Sequence, residues 1–362
     1  MHPPALIRPT MRYLLALLTC LTLPAVYADD TPPLSRDIKD WNVTCDNVRT
    51  CTAVSTRPAS AELGELYFPL RIVRKAGPDG DLRISVFSYN DLHGDPLIDG
   101  NPLRMPLVER KRAEFDVSEV PELRSATNAD ALTFIRALRD ANQLAFSTSD
   151  GPSSASLIGM AGALLLMDDV QGRVGTVTAL ARPANAPASD VPPAPPAPTL
   201  PAWRTPPPLG EMQRQQVLDA AMAASRSDWQ QDVIEGDEPT GEVHALTGEQ
   251  ALLIVRTGCS AYNCSYRLYL VPLAHPERPH PAPFQTFTRL SDLTPDGSVE
   301  FDATTGELKS LALANGMGGC GAAARWRYDG ERFVLSHAAQ MTACMGLSAA
   351  DWPVLWETAV QP

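Results

Sequence analysis

Residues 315–333 read NGMGGCGAAARWRYDGERF and contain the spacing G-x-G-x-x-G as Gly316, Gly318 and Gly321. If this were a dinucleotide turn, the chain would hold a doubly wound parallel sheet; if not, the region belongs to an antiparallel protein. A pyrophosphate site needs a strand before the glycines, a helix opening at the last of them and an acid about 20 residues on. The residues that follow, AAARWRYDGERFVL, alternate as two strands around Asp329-Gly330 and read as a hairpin. With no helix N-terminus there is no row of free N–H groups to hold phosphate. The glycines are better explained as a crowded turn that lets Cys320 reach a second cysteine, and no nucleotide or other cofactor is expected.

Outward from this loop, the second half of the chain reads as a helix, Glu211 to Ser225, followed by a meander. Its strands are EVHALT, ALLIVRT, YRLYLVP, FQTFTRL, SVEFD, ELKSLAL, ARWRYD and RFVLS, separated by turns such as Asp296-Gly297 and Thr305-Gly306. In the first half, WNVTCDNVRTCTAVST reads as two strands about an Asp46-Asn47 turn. LYFPLRIVRK, LRISVFSY and QLAFSTS supply further strands. Leu132, Ile135 and Leu138 mark a helix from Asn128 to Ala141, capped by Thr127 or Asn128. Leu157 to Val170 reads as a buried helix, and RVGTVTALA returns as a strand. With no βαβ alternation, the expected class is α+β: two mainly antiparallel β domains with a few packed helices.

Between the halves, ANAPASDVPPAPPAPTLPAWRTPPPL (184–209) is too rich in Pro and Ala to build a core and favours extended geometry. The expected domains are therefore 29–183 and 210–362, joined by a Pro/Ala-rich linker at 184–209. Residues 1–28 read as a signal peptide: Arg8 and Arg12, an apolar run from Tyr13 to Leu23, and the small-residue end Val26-Tyr27-Ala28. Translation from Met1 or Met11 gives the same mature chain, starting at Asp29. Cys20 follows Thr19 rather than a small residue, which argues against lipidation. The run LIGMAGALLLM is too short to cross a bilayer, which takes about 20 residues.

Loss of Arg8 and Arg12 takes the formal charge from −12 to −14. That balance disfavours nucleic acid and anionic lipid as partners and suits a basic protein or peptide. Six cysteines remain, an even count suited to an oxidising compartment. Their local spacing points to Cys45–Cys51, Cys259–Cys264 and Cys320–Cys344. The spacings match no common zinc site.

The motifs DWNVTCDNVRTCTA, DDVQGRVGTVTAL, GMGGCG, WRYDGERFVL and MTACMGLSAADWPVLW together resemble a family of proteobacterial periplasmic proteins, the domain of unknown function 1176 family. The first half also resembles the invasion-associated locus B type of protein through its Trp41…Cys45 opening. The resemblance implies a Gram-negative periplasmic location and a shared fold. It implies no activity, catalytic residue or cofactor.

Candidate chemistry is sparse. There is no G-x-S-x-G, no catalytic S-x-x-K and no unpaired mature cysteine. His93, His244, His275, His280 and His337 are scattered, and no metal site is expected from them. Asp168 and Asp169 end an apolar helix beside Arg173; as sequence neighbours they diverge and do not form a converging acid–base pair. Trp326, Tyr328, Trp352 and Trp356 form an aromatic group that suits core packing or a ligand surface. Tyr262 and Asn263 sit in CSAYNC, a loop built for display. These six are the candidate binding surface. The leading expectation is a non-catalytic periplasmic binding or interaction protein. The alternatives are an envelope hydrolase using carboxylates and an inhibitor of a basic enzyme such as a lysozyme.

Overall fold

A computed structural model describes residues 32–58, 66–88, 90–110, 121–285, 287, 290 and 293–360. The signal peptide read from residues 1–28, with Cys20 and both candidate starts, lies outside the described residues. The chain folds as mostly antiparallel sheets with few helices.

The first half opens with β1 (Leu34–Ile38), β2 (Trp41–Cys45) and β3 (Cys51–Ser55), with Cys45 opposite Cys51 at the hairpin end and the two joined by a disulfide. Then come β4 (Leu66–Tyr67), β5 (Leu70–Arg74), β6 (Leu82–Phe87), β7 (His93–Ile98), β8 (Asn101–Pro102), β9 (Leu107–Glu109) and β10 (Glu122–Ser125). Helix α1 (Asn128–Leu138) is capped by Thr127, whose hydroxyl accepts the Asp130 N–H while the Asp130 carboxylate accepts the Thr127 N–H. The hairpin β11 (Gln143–Thr148) and β12 (Gly151–Ser156) and the helix α2 (Met160–Val170) complete this half. One sheet has the order β1-β2-β3-β5-β6-β10-β9, the other β4-β12-β11-β7-β8. The inward residues of the first sheet, among them Trp41, Val43, Ile72 and Ile84, share one core with Phe134 and Ile135 of α1 and Leu164 and Met167 of α2.

RVGTVTALA does not return as a strand; it is a series of turns. The cause lies in its neighbours. The Asp168 carboxylate accepts the N–H groups of Leu180 and Ala181 at 2.8 Å, occupying donors that a sheet ladder would use. Arg173 is buried, donates to Gln171 Oε1 and Thr178 Oγ1, and reaches the Gly77 carbonyl. A side-chain network has taken over the backbone of this segment.

The Pro-rich segment carries β13 (Thr199–Leu200) and buries Val191 and Leu200. Its Trp203 indole donates to the Ala303 carbonyl at 3.0 Å and meets Phe301 edge-on.

In the second half, α3 (Glu211–Trp229) runs four residues beyond the expected Ser225 and precedes β14 (Thr240–Ala245), β15 (Gln250–Cys259), β16 (Cys264–Pro272) and β17 (His280–Pro281). A second sheet is the meander β18 (Ser298–Asp302), β19 (Glu307–Leu313), β20 (Gly321–Tyr328), β21 (Phe333–Met341) and β22 (Val354–Glu357). The last strand, β23 (Ala359–Val360), pairs in parallel with β13. The stretch ALLIVRT is apolar without alternation because β15 is covered on both faces. Ala251, Leu253 and Val255 pack with Val217 and Ala221 of α3, while Leu252 and Ile254 pack with Leu308, Trp326 and Leu335 of the other sheet. FQTFTRL is not a strand in its described part: Phe284 makes one bridge, to Phe333, and Thr286, Thr288 and Arg289 lie outside the described residues.

Each half thus holds a core of its own, and the two meet along a seam. Val54 and Phe87 on the outer face of the first sheet pack with Cys320, Met341, Met345, Leu347 and Trp352. Beside them Arg71 bonds the Asp351 carbonyl at 2.8 Å and its carboxylate at 3.1 Å.

Candidate functional site: two disulfide-closed loops

The β15–β16 hairpin ends in Ser260–Asn263, closed by the Cys259–Cys264 disulfide. The Ser260 N–H donates to the Asn263 carbonyl at 2.7 Å, and the Cys259 N–H donates to Asp237 Oδ2 at 2.6 Å. Ser260, Ala261 and Tyr262 are left exposed at the tip. Asn263 points the other way, donating to the Leu313 carbonyl at 2.7 Å and accepting the Leu313 N–H at 2.9 Å. This pairing mimics a step of β-ladder and fixes the loop to the end of β19.

Beyond Leu313 the chain enters the glycine loop. Asn315 Oδ1 accepts the N–H groups of Met317 and Gly318, both at 3.1 Å, so the tight turn is organised by an asparagine side chain. The turn leads into β20 at Gly321, and no helix follows. Cys320 is fully buried and bonded to Cys344. Two glycines are required by contact. A Cβ on Gly319 would lie 2.7 Å from the Gly346 nitrogen, and one on Gly321, whose φ is 147°, would lie 2.1 Å from the Ala312 carbonyl oxygen. The glycines therefore allow backbone to lie on backbone where the disulfide joins two segments.

The two loops touch. The Tyr262 ring lies over the backbone of Gly316, where a Cβ would sit 3.5 Å from it. Met317 projects from the turn with 90% of its surface exposed, and Tyr262 is 45% exposed. Below Met317 a groove of about 260 Å³ opens between the loop and the first half, lined by Tyr67, Pro69, Phe87 and Met345. The result is an apolar, solvent-facing platform whose backbone is held by two disulfides and the asparagines at 263 and 315.

Of the six sequence-derived surface residues, Tyr262 and Asn263 belong to this platform. The other four are placed elsewhere. Trp326 and Tyr328 are buried in the core between the two sheets of the second half, with Trp326 edge-on to Phe284 and the Tyr328 hydroxyl donating to the Gly330 carbonyl. Trp352 is buried in the seam and donates to the Leu347 carbonyl at 3.0 Å. Trp356 packs on Phe287 and donates to the Leu335 carbonyl. The polar tips of Tyr328, Trp352 and Trp356 are satisfied internally, as buried indoles and phenols require. Met317, Tyr67 and Met345 escaped the sequence reading. The only signal was Met317 itself, a large apolar residue in a glycine turn with no periodic partner.

The remaining titratable groups are dispersed. Asp168 is buried and Asp169 exposed, so they do not converge; burial raises the Asp168 carboxyl above its ordinary range against the pull of the Leu180 and Ala181 N–H groups. Asp46 is buried beneath the β2–β3 turn, where its carboxyl accepts the Val48 and Thr50 N–H groups. Burial, reinforced by the charge of Glu357, pushes it up to about 7. Burial and then Arg325 lower His337 to about 4. Among the described residues, no three His, Cys, Asp or Glu side chains converge as metal ligands.

The fold and platform define a disulfide-stapled, mainly antiparallel protein that displays ordered loops, and no helix among the described residues is long and apolar enough to cross a membrane. The chain belongs to the family described as protein of unknown function DUF1176, whose model matches residues 35–359. It is 30% identical over 370 residues to the uncharacterized protein YpfG of Escherichia coli (strain K12), an alignment covering 96% of this chain and all of that protein. No solved structure matches it.

Proposed function

We propose that this is a secreted, periplasmic, non-catalytic interaction protein that docks a partner on the loop platform, its 29–183 and 210–362 regions acting as two domains joined by the 184–209 segment. One observation carries the reading: Met317 and Tyr262 are held out to solvent by loops whose backbones are fixed by disulfides and side-chain hydrogen bonds. An apolar side chain kept exposed on an ordered backbone loses little entropy when a partner covers it, which favours binding. Three disulfides fit an oxidising compartment. The test is site-specific photo-cross-linking in periplasm, with the cross-linker at position 317 or, as a control, at Met212, which is 83% exposed on α3. A discrete protein adduct from 317 that is absent from 212 is the expected result; the same adducts from both positions would sink the proposal.

A second reading is favoured by the exposed Ser260–Tyr262 tip and the acidic balance of the chain: inhibition of a basic enzyme such as a lysozyme. Purified protein should then inhibit lysozyme in a cell-wall turbidity assay, and Tyr262→Asp should abolish the effect. Absence of inhibition by the wild type removes this reading and leaves the platform proposal standing.

A further inference from the structure

Apart from the platform, a second cavity of about 290 Å³ lies at the charged end of the seam. Its floor follows from strand register. Thr52, Val73 and Arg83 form one row across β3, β5 and β6, while Cys51, Arg74 and Leu82 form the adjacent row. Strand alternation turns that adjacent row to the core and the Thr52–Val73–Arg83 row to the cavity. The opposite wall is Ala350, Trp352, Val354 and Glu357.

Most charges in the cavity are already matched. Arg71 lies 3.1 Å from Asp351 and 3.6 Å from Glu122, and Lys75 lies 3.6 Å from Asp81. Three remain. Arg83 on the floor and Glu357 on the wall have no ion-pair partner among the described residues, and neither has Asp46, whose carboxyl is held instead by the Val48 and Thr50 N–H groups next to Glu357. Glu357 is well placed to wait for one. Its backbone N–H donates to Asn47 Oδ1 at 2.8 Å and its carbonyl accepts from Asn47 Nδ2 at 3.0 Å, so the residue is anchored while its carboxylate stays exposed. Val73, which pairs with Arg83, and Val354 add aliphatic surface to the lining.

We propose that this cavity binds a small zwitterion of the amino-acid or short-peptide class, with its carboxylate on Arg83, its ammonium on Glu357 and its aliphatic part against Val73 and Val354. The cavity volume, near the lower bound of small-molecule sites, limits the ligand to a few residues. An arginine matches a carboxylate in a planar two-point contact, whereas a single charged contact on each end sets polarity. A ligand with only one charge would leave the other group unmatched.

The test uses the full mature protein and calorimetric titration with alanine, dialanine and trialanine, whose ends separate by about 3.5 Å more with each added residue. At least one probe should bind saturably. Its N-acetyl and C-amide forms should bind about tenfold or more weakly, since each loses a hydrogen bond to a charged group. Arg83→Gln and Glu357→Gln should each weaken the best probe by a similar factor without lowering the melting temperature. The proposal is overturned if none of the three zwitterions binds, if the blocked forms bind as well as the free one, or if Arg83→Gln, folded, binds as the wild type does.

Discussion

The two ends of the seam are built from unlike materials. At one end Val54 and Phe87 lie against Cys320, Met345, Leu347 and Trp352. At the other, which adjoins the first through the shared Phe87 ring, Arg71 stands between Asp351 and Glu122 with its guanidinium 4.6 Å above that ring. Apolar burial supplies free energy in proportion to area and tolerates small shifts of register. A guanidinium that serves a carbonyl and two carboxylates tolerates none. The apolar end therefore holds the halves together, and the charged end fixes how they sit. This division also explains why the platform grows from the apolar end and the polar cavity from the other.

The comparison breaks first, and with the largest effect, at Arg71. Arg71→Ala leaves Asp351, 5% exposed, without its cation, and leaves the buried Glu122 with Arg110 alone at 3.4 Å. Removing one partner of a buried pair costs about 3–5 kcal/mol. Urea unfolding should show that loss; a change below about 1 kcal/mol would mean that water already screens the charged end.

At the apolar end the corresponding change is Cys320→Ser. The bond to Cys344 closes 24 residues, against 6 for Cys45–Cys51. On the chain-entropy model these closures are worth about 3 and about 2 kcal/mol respectively. Cys320→Ser should accordingly cost more than Cys51→Ser in thermal unfolding and expose one thiol, at Cys344. Equal losses would show that entropy is not what the longer bridge contributes.

How much of this contrast was legible in advance depends on whether its cause is local. Hairpins were readable because Asp-Gly and Asn turns specify themselves within four residues, and Trp326 and Tyr328 share a face by parity alone. The unbroken apolar run of β15 is explained by cover on both faces, something no local pattern distinguishes from a buried helix. RVGTVTALA was misread because the Asp168 carboxylate, 12 and 13 residues away, captures the Leu180 and Ala181 N–H groups, and Arg74 takes the Thr178 carbonyl; β-propensity carries no trace of that. The CSAYNC loop was legible as a display element. Its meeting with the glycine loop at Gly316 was not, because that loop is held by Cys344 and by Asn263, both remote from it in sequence.

A smaller effect separates the halves by pH. The Asp46 carboxyl, pushed up to about 7 from 3.8, favours the protonated form in the fold. Its contribution is complete below about pH 4 and is lost as pH rises through 7. His337, lowered from 6.5 to about 4, works in the opposite sense: its contribution is present above about pH 6.5 and is lost as pH falls toward 4. Between those limits each slope is at most about 1.4 kcal/mol per pH unit. Asp46→Asn should make stability rise more steeply with pH over that window, and His337→Gln should make it fall. If both variants keep the wild-type slope, neither group is buried enough to matter.

The smallest change in stability is expected where the largest change in binding is. Met317 is almost wholly exposed, and the Tyr262 hydroxyl meets the Ala314 carbonyl only at 3.5 Å, too long to contribute much. Met317→Ala and Tyr262→Ala should each shift unfolding by no more than about 0.5 kcal/mol. Yet the two side chains come from loops joined through Asn263 and Leu313, and a partner that covers one must approach the other. Tyr262→Ala should therefore reduce the adduct captured through position 317 by about tenfold, as loss of an interface anchor worth more than 1 kcal/mol would. Asn263→Ala separates geometry from contact: it keeps the tyrosine but unties the loop from Leu313. If Asn263→Ala lowers the adduct as much as Tyr262→Ala does, the platform binds because it is held rigid. If it has no effect, the tyrosine acts alone and the two loops are neighbours without being one site.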